Sequence, residues 1–249
     1  MDPGVFMISS GAIAQEKRFE ILTNNLANVN TVGYKGDKTA FSTFVQSFLY
    51  EDKTFNDKPI FMHNSQVFLE EVKTDFSAGK IRKTGNPLDL AIGKEGFFVI
   101  NTPERKGYTR QGIFTKNKDD FLVTLDGNMV LGEKGKVALD GKDILISQGG
   151  EVVVDGKLID RLKIVDFSDK NRLRKLNDSF FVPVSSGIKP EKVKDPMVYQ
   201  GFLEHSNVNP IESMVRMIEI QRTYESYQKI IQAIQEITER SVNDVGRIV

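Results

Sequence analysis

Few residues in this chain stand at spacings that support chemistry. The 2 histidines, His63 and His205, each lack a second His, Cys or carboxylate at ligand spacing, so exposed or hydrogen-bonded imidazoles are the expectation rather than metal ligands. Asp119-Asp120 and Asp126 suggest paired carboxylates or a calcium loop, but the spacing does not fit a calcium loop, which also needs a distal Glu. Turn aspartates account for them better. Gly132-Glu-Lys-Gly-Lys136 is shorter than a phosphate-binding loop and has no Ser or Thr after the lysine, so it reads as a turn. No Gly-x-Ser-x-Gly elbow is present. The sequence therefore offers no catalytic, cofactor-binding or metal site, and the chain is expected not to be an enzyme.

Composition narrows the classes further. The 249 residues suffice for one large domain or two smaller ones. With 34 basic and 34 acidic residues the net charge is zero, which argues against a nucleic-acid footprint and against a polybasic membrane anchor. The absence of cysteine removes disulfides, thiolate metal sites and thiol nucleophiles. Residues 1–30 lack the continuous apolar run of a secretory signal and carry Glu16, Lys17, Arg18 and Glu20. No apolar stretch approaches the length of a membrane span, so direct membrane insertion is not expected.

What remains is pattern, and it is strongest at the two ends. Met217, Ile220, Tyr224, Tyr227, Ile231, Ile234, Thr238, Ser241 and Val245 alternate steps of three and four, one seam along a long helix. Asn209-Pro210 supplies a cap followed by a proline at the first helical position, and Glu212 stands where a capping-box Glu belongs. Thirty or more such residues make a rod of roughly 45 Å. At the other end Val5, Ile8, Ala12, Gln15, Phe19, Leu22, Leu26 and Val29 repeat the three-and-four step after Asp2-Pro3. Two narrow seams predict that the terminal helices pair with each other or with copies from other subunits in a coiled-coil-like domain.

The first helix is expected to stop near Asn28 to Asn30. Asn24, Asn25, Asn28 and Asn30 are poor helix formers, because their amides compete with the backbone, and Gly33 frees the chain to reverse. These amides form either a plain C-cap or a packed junction bonding across subunits. Residues 36–80 read as a connector or extended arm, with Phe41, Phe44, Val45, Phe48 and Leu49 at helical spacing. From Ile81 to Gly187 about ten short apolar runs recur between glycine-rich breaks, with Asp126-Gly127, Asp140-Gly141 and Asp155-Gly156 as hairpin signals. No helical pattern alternates with them, so the sheet is antiparallel, of meander or barrel type. The predicted class is α+β: residues 1–35 and 201–249 form a terminal helical domain, 36–80 the connector, and 81–200 a β-rich domain with its return linker.

Four stretches resemble one family. Leu22-Thr-Asn-Asn-Leu-Ala-Asn-Val-Asn-Thr-Val-Gly-Tyr-Lys35 is similar to the N-terminal signature of flagellar basal-body rod and hook proteins. Gly201-Phe-Leu-Glu-His-Ser-Asn-Val-Asn-Pro-Ile-Glu212, with Gln221-Arg222-Thr223-Tyr224 after it, resembles their C-terminal motif. Pro87 to Ile100 and Gly107-Tyr-Thr-Arg-Gln-Gly-Ile-Phe114 look like the family's β-domain core. Arg161-Leu-Lys-Ile-Val165 and the short length resemble the proximal rod protein more than the distal one; a distal rod or hook-type axial protein is the alternative.

The resemblance implies a structural subunit that polymerises with itself and with other rod and hook axial proteins into the torque-transmitting shaft. It also implies export through the flagellar type III apparatus and residence in the periplasmic rod. The expected assembly residues are Val5, Ile8, Ala12, Phe19, Leu22 and Leu26 on the first seam and Asn24, Asn25, Asn28 and Asn30 in the junction. On the second seam they are Met217, Ile220, Tyr224, Tyr227, Ile231 and Ile234. A competing class is a carbohydrate-binding or adhesin β domain on a helical stalk, which would need a polar cleft with converging carboxylates.

Overall fold

A computed structural model describes residues 3–50, 60–103, 105–177, 179–185 and 187–245. Asp2, of the expected first cap, lies outside them, as do the side chains of Phe41, Phe44, Val45, Phe48, Leu49, His63, Ser241 and Val245. The described chain divides into two compact units. One holds Met1–Leu26, Asp37–Lys73 and Pro210–Val249; the other holds Ala27–Gly36 and Thr74–Asn209.

The first unit contains helix α1, Pro3–Ala27, helix α2, Pro210–Val245, and a two-stranded sheet of Asp37–Tyr50 and Ile60–Thr74. Both helices open on proline, whose fixed φ and missing N–H suit the first helical position. α1 ends at Ala27, immediately before Asn28. The helical spacing of Phe41 to Leu49 falls inside a strand instead. That segment is rich in Thr, Phe and Val, which favour a pleated backbone.

The expected coiled-coil-like helical domain is not present. The described chain has one N-terminal and one C-terminal helix and no long coiled-coil pair. In a closed seam each knob is buried in a hole of four residues. Here Met217, Ile220, Tyr224, Tyr227, Ile231 and Ile234 are all only half-buried, and Ser213 is the one buried residue of α2 among those described. On α1 the buried positions among those described are Gly11, Ala14 and Asn25, none of them an apolar seam member. The broad α+β class stands.

The second unit is antiparallel β throughout its described ladders. Its nine-stranded sheet places Leu173–Lys175, Phe180–Pro183, Lys106–Thr109, Phe97–Asn101, Met129–Val130, Leu122–Thr124 and Phe114–Lys116 side by side, with Ile164–Asp166 also on Phe97–Asn101 and Glu191–Lys192 beyond it. This order is not sequential, so of the two expected types, meander or barrel, a simple meander does not apply. A separate three-stranded sheet runs Ile144–Ile146, Glu151–Val154, Lys157–Arg161.

Strand Phe97–Asn101 is the keel. Successive side chains in a strand point to opposite faces. Phe98 and Ile100 enter one apolar cluster with Leu90, Phe114, Leu122 and Val152, while Phe97 and Val99 enter a second with Tyr108, Phe167 and Phe181. Phe97 meets Phe181 at 5.8 Å and Phe76 at 5.7 Å, both edge-on, a favoured aromatic geometry.

Two Asp-Gly pairs close hairpins. Asp155 and Gly156 both adopt positive φ, 49° and 78°, as a type I′ turn between Val154 and Lys157 requires. Asp126-Gly127 joins the strands paired at Val123 and Met129. Asp140-Gly141 does not: Val137–Leu139 makes only isolated bridges, and Ile144 pairs onward with Val154.

Candidate functional site

Two features of the molecule bear on function. One is a buried ionic junction in the β unit; the other is the apolar surface of the helical unit.

The junction forms where three distant segments converge. Just after α1 the chain turns at Gly33, whose φ is +69° and whose N–H donates to the Glu204 carbonyl at 2.7 Å. A Cβ there would overlap the Arg110–Gln111 backbone, so glycine is required on two counts. The turn delivers Tyr34 and Lys35 inward; both are fully buried, and the Lys175 ammonium lies 4.3 Å from the centre of the Tyr34 ring. Glu204 ends strand Phe202–Glu204, which pairs with Ile81–Lys83. Arg110 follows directly on strand Lys106–Thr109.

Lys35 Nζ donates to Glu204 Oε1 at 2.6 Å and to the Ser77 carbonyl at 2.7 Å. Arg110 Nη1 donates to Glu204 Oε2 and to the Ile92 carbonyl, each at 3.2 Å, and Nη2 donates to the Lys94 carbonyl at 2.8 Å. The Gly79 N–H adds a bond to Glu204 Oε1 at 2.8 Å. Nearby, Asn207 ties the same segments by their backbones: Oδ1 accepts from the Gly36 N–H at 2.8 Å and Nδ2 donates to the Asp75 carbonyl at 2.7 Å.

Side-chain exposure is 1% for Lys35, 1% for Glu204 and 6% for Arg110. Burial pushes the Lys35 ammonium below its ordinary range, with the Glu204 carboxylate pulling it back. Burial likewise lowers Arg110, again opposed chiefly by Glu204. A guanidinium stays charged regardless. The junction thus sets two cations against one fully buried anion.

In the helical unit the expected residues are placed as follows. Phe19, Ile220 and Tyr224 line a groove of about 240 Å³ with Gln15, Glu16 and Gln221. Leu22 and Ile220 line a second of about 400 Å³ with Arg18 and Arg216. Tyr227 lies against Gly11, where an added Cβ would stand 2.9 Å from its ring. Val5, Ile8, Ala12 and Leu26 are half-buried, as are Met217, Ile231 and Ile234.

The four asparagines part company. Asn25 is buried and makes a reciprocal pair with the Asp37 backbone, Nδ2 donating to its carbonyl at 2.7 Å and Oδ1 accepting from its N–H at 2.8 Å. Asn28 Oδ1 accepts from the Thr31 hydroxyl at 2.9 Å. Asn24 and Asn30 are exposed.

Spacing did not single out Lys35, Arg110, Glu204 or Asn207 as site residues, although all four stand in the motifs quoted above. The usable signal was a lysine straight after the Gly-Tyr turn and a glutamate inside the apolar Phe202-Leu203 strand. Among the described residues no group of three His, Cys, Asp or Glu side chains could hold a metal ion. No described helix is long and apolar enough to cross a membrane.

Comparison with known proteins bears on the same segments. Three family models match: "Flagella basal body rod protein" over residues 8–35, "Flagellar hook protein FlgE/F/G D1 domain" over 91–154, and "Flagellar basal body rod FlgEFG protein C-terminal" over 199–244. Each match contains one charge of the junction. Among curated relatives, the flagellar basal-body rod protein FlgF of Caulobacter vibrioides is 31% identical over 260 residues, covering 100% of both chains. The basal-body rod protein FlgG of Agrobacterium fabrum is 31% identical, covering 92% of this chain and 94% of its own. The hook-basal body complex protein FlhO of Bacillus subtilis is 26% identical, over 98% of this chain and 99% of its own. Identity at this level along the whole length, with rod-family segments at both ends and in the middle, means that the chain belongs to the flagellar basal-body rod protein family and is a structural rod subunit.

Proposed function

We infer that this subunit polymerises, with copies of itself and with other rod and hook axial proteins, into a helical shaft that carries torque from motor to hook. It reaches the periplasmic rod through the flagellar type III export apparatus. Within the family it serves as a proximal rod component.

The observation that carries this reading is the apolar surface of α2. Met214, Val215, Ile218 and Ile230 are each between 45% and 53% exposed on a 36-residue helix. Covering the exposed half of such a side chain stabilises by about 1 kcal/mol, which a neighbouring surface would supply. The assembly contacts are assigned to Val5, Ile8, Ala12, Phe19, Leu22 and Leu26, to Asn24, Asn25, Asn28 and Asn30, and to Met217, Ile220, Tyr224, Tyr227, Ile231 and Ile234. A helical polymer needs heterologous contacts that repeat without closing a ring.

Deleting residues 1–30 or 210–249 is expected to leave the β unit folded and absent from purified basal bodies. Recovery of either truncated chain in rods at the full-length level would refute the reading.

A further inference from the structure

The ionic junction is more than a structural staple, because its charges do not balance and because of where they stand in the chain. Lys35 and Glu204 are 169 residues apart, and Arg110 and Glu204 are 94 apart. Both cations bond the same carboxylate, and Arg110 is close enough to depress Lys35. Of the anions near them, Glu204 acts most strongly on both, ahead of Asp75 for Lys35 and of Asp166 and Glu95 for Arg110. Without Glu204, closing the junction would bury two like charges away from water, each at a desolvation cost that backbone carbonyls and the weaker pull of Asp75, Asp166 and Glu95 do not offset.

We propose that Glu204 is an arrival lock: the Gly33–Gly36 turn cannot take its place within the β unit until the last fifth of the chain delivers the one anion that neutralises both Lys35 and Arg110. Buried ion pairs contribute little net stability over apolar side chains, yet breaking one from one side is costly. The lock uses that asymmetry. It makes loss of the anion far worse than loss of either cation, since a single remaining cation still has Glu204 as its partner. A chain emerging N-terminus first thereby keeps its leading turn open until its C-terminal strand is present. That use of the lock rests on the export reading above; the lock itself does not.

Hydrogen exchange on the full-length monomer tests it, reading the Gly33 amide, held by the Glu204 carbonyl, and the Gly36 amide, held by Asn207. Amides of the Phe97–Asn101 strand serve as internal control. Glu204→Gln should raise exchange at both reporters at least tenfold, and Lys35→Met should raise it clearly less. In the double variant Lys35→Met/Glu204→Gln, exchange should fall back below that of Glu204→Gln, because one stranded cation has been removed.

A Glu204→Gln chain as protected as the parent overturns the proposal. So does a double variant as labile as Glu204→Gln or worse, which would mean that Glu204 acts through hydrogen bonding and shape alone. Should Glu204→Gln fail to fold, recovery of a folded chain in the double variant supports the lock, and failure to recover overturns it. None of these readings depends on rod entry, so the lock and the proposed function fail separately.

Discussion

The two units of this protein spend their apolar residues differently. The β unit turns them inward on both faces of its central strand: Phe97, Phe98, Val99 and Ile100 are all at most 1% exposed. It leaves some outside only at its edges and turns, such as Leu125 at 66% and Leu158 at 62%, whereas the described helices bury no large apolar side chain. Ile13 is 60% and Ile237 65% exposed, and the few buried positions of the helices are small or polar: Gly11, Ala14, Asn25 and Ser213. A unit that closes its own surface has stability of its own, whereas one whose apolar stripe stays wet gains most of its burial when something covers it. The same chain therefore contains one part specified by internal packing and another whose described helices keep their apolar side chains half-exposed or exposed.

The largest effect that would sharpen this contrast is at Phe98. Its ring meets Phe114 edge-on at 5.2 Å inside the first apolar cluster. Phe98→Ala removes that volume from a site with no solvent to refill it. The expected loss is about 3–5 kcal/mol, read as a lower urea midpoint with unchanged slope. A loss under about 1 kcal/mol would mean that the β unit is as loosely packed as the helices.

A smaller loss is expected at Gly33. An alanine there must hold φ near +69° and also displace the Arg110–Gln111 backbone. The strain alone costs about 1–3 kcal/mol. Hydrogen exchange should place the opening at the ionic junction, leaving the central strand protected.

Much of this division could be read from the chain, and the misses have physical causes. Short apolar runs between glycine-rich breaks and Asp155-Gly156 announced strands and a left-handed turn, because both signals are local. Gly11 and Ala14 stayed hidden because a heptad reading selects bulky residues, while the position facing Tyr227 needs an absent side chain. The coiled-coil-like domain failed as an expectation for a related reason: a narrow apolar stripe states that a helix wants a partner, not that two helices of one chain close a long knobs-into-holes seam. Lys35, Arg110 and Glu204 were equally hidden, since no periodicity links charges 94 and 169 residues apart.

The pH dependence of the junction probes the β unit more gently. Burial holds the folded-state pKa of Lys35 below that of the unfolded chain. Between the two values the unfolded chain binds more protons than the folded one, so stability rises with pH there. The window lies below the ordinary lysine value of about 10.4. Urea midpoints of the parent should therefore gain on those of Lys35→Met as pH climbs toward that value. A parent that loses ground instead would mean that attraction to Glu204 outweighs burial at this lysine.

The smallest change in monomer stability is expected at Ile218, 53% exposed on α2. Were the helical unit a closed domain like its neighbour, Ile218→Ser would still cost little, because an exposed side chain makes few contacts to lose. The monomer's urea midpoint should indeed move by no more than the equivalent of about 0.5 kcal/mol. The informative readout is incorporation. If α2 is covered on assembly, a serine loses the transfer free energy of most of an isoleucine at every repeat of the contact, and these losses multiply along a polymer. Basal bodies from cells carrying the variant should then hold markedly less of it than of the parent at equal expression. Equal incorporation would show that this face of α2 remains wet in the rod, and would leave the half-buried Met217–Ile234 row as the assembly surface of α2.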